Sequence, residues 1–75
     1  MTNFKNVNMK LVKDAILEQR ECNKKYRESN NLEFYELSLQ CHHIFFKYVS
    51  KLFEENKINS DTYKMLSKLE ANLSY

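Results

Sequence analysis

The chain has 75 residues, with 12 basic and 10 acidic side chains, a net charge of +2, and no Gly, Pro or Trp. A single small domain over 1–75 is the ceiling at this length, and its core supplies only about 3–5 kcal/mol, so multi-step catalysis is not expected. Without Gly there is no glycine loop to cradle a phosphate, neither a dinucleotide fingerprint nor a P-loop, and without Gly and Pro the tight turns of an all-β fold are missing.

The first predicted element, α1, is a helix from about 6 to 28. Leu11, Val12, Ala15, Ile16, Cys22 and Tyr26 fall in one arc of its wheel, with Gln19 and Asn23 among them, and Phe4 joins them if the helix starts early. Beside this arc runs a basic stripe of Lys10, Lys13, Arg20, Lys24 and Arg27, and next to it an acidic row of Asp14, Glu18, Glu21 and Glu28. The pairs Glu21–Lys25 and Lys24–Glu28 sit at i,i+4 and add about 0.2–0.5 kcal/mol each at most. The break at Glu28-Ser29-Asn30-Asn31 is polar and Asn-rich, the only punctuation open to a chain without Gly and Pro.

The second element, α2, spans about 32 to 55. Phe34, Leu37, Cys41, Ile44, Phe45, Tyr48 and Leu52 form one apolar face. Tyr35, Leu39, Phe46, Val49 and Phe53, with His42 among them, form a second, at the alternating spacing of four and three that makes a coiled-coil seam. A helix apolar this far round its circumference has to be covered from two sides.

The third element, α3, runs from about 61 to 73, after a second polar break over 54–61, with Ser60 as N-cap and Asp61 in its first turn. Its apolar residues are Leu66, Leu69 and Leu73, flanked by Met65 and Tyr63. An α1–α2 hairpin turning near Asn30 pairs residues whose numbers sum to about 61, which sets Ile16 near Phe45 and Cys22 near Leu39. α3 then turns back over the second face of α2. At 1.5 Å per residue α3 is ~20 Å long and α2 ~36 Å, so α3 reaches Phe53, Val49 and Phe46 and stops short of Leu39 and Tyr35. The expected fold is all-α, a three-helix arrangement of hairpin plus shorter helix. The uncovered second face of α2 is expected to be the partner or self-association surface, with Tyr35, Leu39, His42, Phe46, Val49 and Phe53 as its residues and a two-fold homodimer as the simplest cover. A longer or shifted α3, or residues 1–6 folded over the patch, is the alternative.

Cys41-His42-His43 is the one cluster of metal-ligating residue types. Neighbouring helical residues point about 100° apart, so the three do not converge on one ion. Cys22 is near enough along the hairpin to make a Cys/Cys/His site with Cys41 conceivable, but the spacing matches no common zinc pattern, and no metal or cofactor is expected. The cysteines are read as structural, and His42 as a half-buried side chain whose protonation at a dimer seam would weaken association. His43 is expected to face solvent. With Lys47 at i+4 it has a faint likeness to histidine-phosphotransfer domains, but Phe45 and Phe46 crowd the surface. Nucleic-acid binding through Lys10, Lys13, Arg20, Lys24 and Arg27 is the alternative function, opposed by the adjacent acidic row and the small net charge. A helix-turn-helix reading of the α2–α3 junction leaves only Lys64 and Lys68 on the second helix.

Charge is spread evenly: residues 1–30 carry a net +3, 31–58 a net −1 and 59–75 none. With no apolar run of membrane-spanning length and no secretory leader at MTNFKNVNMK, the expected location is cytoplasmic, where thiols stay reduced. Ile58-Asn59-Ser60-Asp61-Thr62-Tyr63 looks like the generic helix start of many small bacterial helical domains. Ser67-Lys68-Leu69-Glu70 is faintly similar to the signature of small sporulation phosphatases, but lacks its Leu-Asp ending and does not carry that activity over. Lys and Asn make up 19 residues, a skew typical of AT-rich coding. In size and composition the chain resembles small helical regulators and inhibitors of AT-rich bacteria and their phages or plasmids, and helical bacteriocin immunity proteins. The expected function is that of a non-enzymatic regulator, an inhibitor or adaptor acting by protein–protein binding.

Overall fold

The computed structural model describes residues 3–74. It is all-α, with α1 over Met9–Ser29, α2 over Leu32–Glu54 and the shorter α3 over Ser60–Leu73. α1 and α2 pack closely as an antiparallel hairpin, and the molecule measures 40 × 18 × 17 Å.

Asparagines do most of the capping. Asn8, Asn31 and Asn59 precede the three helices in extended conformation and accept from the backbone N–H of Leu11, Glu33 and Thr62. α1 therefore starts at Met9, three residues later than the periodicity suggested, because Asn8 takes the cap position. The cap of α3 is likewise Asn59 and not Ser60, since the Asn59 side chain reaches the Thr62 N–H at 2.8 Å. Both turns use asparagine where glycine would be usual. Asn30 (φ 56°) and Asn56 (φ 58°) sit in the left-handed region, and the Asn30 N–H closes α1 on the Tyr26 carbonyl at 2.7 Å. Asn30→Ala, which loses the side chain that tolerates this region, is expected to cost about 1 kcal/mol, and Asn30→Gly to be close to neutral. Urea midpoints of the two variants measure the difference.

Residues 3–8 form no helix. Asn3 N–H donates to Thr62 Oγ1 at 2.9 Å, Asn6 Nδ2 to the Lys57 carbonyl at 2.9 Å, and Asn8 N–H to the Tyr48 hydroxyl at 2.9 Å. This segment closes the α2–α3 end of the bundle, so it does not fold over Tyr35, which lies at the other end beside Tyr26.

The core is Val7, Val12, Ile16, Phe45, Val49, Leu52, Ile58 and Leu66, with Phe4, Met9, Ala15, Phe46, Tyr48, Tyr63 and Leu69 packed on it. The two expected faces of α2 are not buried as wholes. One stripe, Ser38, Phe45, Val49 and Leu52, goes to the interior, because α1 and α3 meet over the boundary between the faces. Leu37 and Ile44, assigned to the face under α1, are exposed, Ile44 by 60%. Val49, assigned to the second face and to the interaction surface, has no exposure at all, which removes it from any surface. Along the hairpin the Tyr26–Tyr35 ring pair at 5.4 Å has the register expected from the turn.

Candidate interaction surface

α3 has 14 residues against 23 in α2, and its position along α2 is marked by three contacts. The Tyr63 ring packs edge-on against Phe53 at 5.2 Å, Leu66 is fully buried in the core, and Glu70 reaches His42. α3 thus extends at least one turn further along α2 than its length alone suggested.

The six residues expected to form one seam are divided by this arrangement. Tyr35 and Leu39 are 44% and 39% exposed. His42 and Phe46 are half-buried, with their rings 4.8 Å apart. Val49 is core, and Phe53 is exposed on one side with Tyr63 on the other. The open apolar surface on this side is accordingly Tyr35 and Leu39, with exposed Leu32 at the start of the same helix. Tyr35 is braced from α1 by the Tyr26 ring at 5.4 Å.

Beneath Tyr35 and Leu39 lies a polar cluster that periodicity did not single out. Glu70 and Gln19 are buried, with 3% and 2% exposure. Gln19 Nε2 donates to Glu70 Oε1 at 2.8 Å, and Ser74 Oγ donates to the same oxygen at 3.4 Å. His42 Nδ1 lies 3.0 Å from it and donates as the Nδ1–H tautomer or as imidazolium. Asn23 Nδ2 donates to the Ser74 carbonyl at 2.9 Å. A protonated His42 would face the Glu70 carboxylate. Gln19 Oε1 is buried and has no partner among the described residues. A cavity of about 130 Å³ opens here, lined by Gln19, Asn23, Tyr35, Ser38, Leu39 and His42. The sequence signal was present in part: Gln19 and Asn23 interrupt the apolar arc of α1, and Glu70 follows Leu66 at i+4.

The remaining candidates take separate places. Lys10, Lys13, Arg20, Lys24 and Arg27 are all exposed on α1, and Glu21 and Glu28 share the surface of Arg20, Lys24 and Arg27. Lys13 and Arg20 also flank an apolar groove of about 280 Å³ formed by Ile16, Leu17 and Leu73. Leu17, at 59% exposure, was not among the expected surface residues. His43 is exposed and its ring stands 5.8 Å from that of His42. Among the described residues no group of three or more His, Cys, Asp and Glu side chains is placed to hold a metal ion. Burial, then the neighbouring Cys22 and Glu18, push the Cys41 thiol above its ordinary range. No helix of the described residues is long and apolar enough to cross a membrane. No protein-family model, curated protein or solved structure matches the chain.

Proposed function

We propose that this chain is a non-enzymatic, cytoplasmic regulator that works by protein–protein binding, as an inhibitor or adaptor, and that it is a homodimer joined through the open end of α2. One observation carries the reading: with Glu70 in the last turn of α3 on His42, Tyr35 and Leu39, two turns and one turn before it on α2, stay exposed, as does Leu32 at the start of the helix. Aromatic and large aliphatic anchors next to a cavity are the usual centre of a binding surface. The cavity beneath them adds the unpartnered Gln19 Oε1, an acceptor for a donor group of the occupant. A two-fold contact would bury the same patch on both copies.

The test is the solution mass by light scattering, for the wild type and for Leu39→Glu. The expected result is a wild-type dimer that becomes a folded monomer in the variant, because a carboxylate at the centre of an apolar contact loses its hydration. A wild-type monomer, unchanged by Leu39→Glu, would overturn the dimer. The second reading, nucleic-acid binding by Lys10, Lys13, Arg20, Lys24 and Arg27, is favoured by the exposure of all five on α1. It requires affinity that falls steeply with salt, whereas an apolar helix contact changes little.

A further inference from the structure

Lys10, Lys13, Leu17, Arg20, Lys24 and Arg27 follow one another along α1 at steps of three and four, so the basic stripe has an aliphatic residue within it. Leu17 is exposed there, and the fold sets the exposed Leu73 of α3 beside it. The two line the apolar groove of about 280 Å³, with the nearly buried Ile16 as its floor and Lys13 and Arg20 at its edges. No carboxylate lines this groove. Among the described residues neither Lys13 nor Arg20 is in an ion pair. The two cations stand two helical turns apart, about 10 Å along α1, with Leu17 between them.

We infer that the α1–α3 groove is the docking site for an acidic amphipathic helix of a partner protein. The inference rests on the protein-binding reading above and names the surface and the chemistry of the target. It does not rest on the homodimer, since no groove residue belongs to the Tyr35–Leu39 patch. A helix laid along α1 has the same rise and the same three- and four-residue spacing. Carboxylates two turns apart on it meet Lys13 and Arg20, while a leucine or phenylalanine between them enters the groove beside Leu17 and Leu73. The apolar anchor supplies most of the affinity, and the charge pairs set the register and exclude basic partners. A fatty acid offers a single carboxylate to two separated cations. A phosphate backbone uses the cations and leaves Leu17 and Leu73 in water. The acidic helix satisfies both the charges and the groove.

The probe is a fluorescently labelled peptide of roughly 15–20 residues, with Leu and Glu placed at three- and four-residue steps. Its binding to the full chain is read by anisotropy. The expected result is saturable binding in about the micromolar range, and none for the matched peptide with Lys in place of Glu. Leu17→Ser, at an exposed position, is expected to keep the wild-type circular dichroism and to weaken binding by roughly tenfold or more. The double variant Lys13→Glu/Arg20→Glu is expected to lose the acidic peptide and to bind the Lys peptide instead. Leu39→Glu, the variant that tests the dimer, is expected to bind the acidic peptide as the wild type does, so failure of the homodimer and failure of this inference are read separately. An acidic peptide that does not bind, equal affinity in Leu17→Ser, or a duplex oligonucleotide held more tightly than the peptide and unaffected by Leu17→Ser would each overturn it.

Discussion

Phe45→Ala is expected to leave the domain largely unfolded at room temperature. Phe45 has no exposure and stands at the centre of the core, with the Phe46 ring edge-on to it at 5.1 Å. Removing a buried phenylalanine ring costs about 3–5 kcal/mol. A chain of this length has a total stability of about 4–11 kcal/mol, and a core this small places it at the low end. The loss and the total are therefore of similar size. Helical circular dichroism with a urea titration measures it. Ile44→Ala is the control, since Ile44 is 60% exposed and its truncation is expected to stay within about 0.5 kcal/mol. Neighbours in the sequence and assigned to one face by periodicity, the two differ about tenfold in expected cost. Equal effects would mean that the core stripe of α2 lies elsewhere.

The second large effect is a coupling between Gln19 and Glu70. Glu70→Leu leaves the buried Gln19 amide without its acceptor, and Gln19→Leu takes from the buried carboxylate the donor at 2.8 Å. Each single change is expected to cost about 1–3 kcal/mol. The double variant Gln19→Leu/Glu70→Leu removes both polar groups and fills the space with apolar atoms, so its stability is expected to return close to that of the wild type. His42, half-exposed, turns to water when Glu70 is gone. Urea midpoints of the three variants give the coupling directly, and strictly additive losses would sink the account of the cluster as a linked pair.

Both effects centre on residues whose role the sequence left partly hidden. Periodicity placed the helices because apolar side chains at three- and four-residue spacing mark a buried side, and Asn30 and Asn59 marked the breaks because they cap and turn. It misplaced the α1 start and the α3 cap. With asparagines at 3, 6, 8, 30, 31, 56 and 59, the choice between cap and loop depends on which N–H each one reaches. It also read α2 as having two full faces, since all of Phe34, Leu37, Ile44, Tyr35, Leu39 and Phe53 are apolar and a wheel has no measure of which ones a neighbour covers.

The sequence by itself determined that the chain is helical, that α2 carries more apolar surface than one neighbour can bury, and that α3 is shorter than α2. These follow from residue spacing and helix rise, which are local. Only the tertiary structure decided that Val49 is interior and Ile44 is not, and that Glu70 meets Gln19 and His42. Each of these depends on the rotation and offset of one helix against another. Those two quantities are set by the sum of many packing contacts along the bundle and have no signature at any single residue.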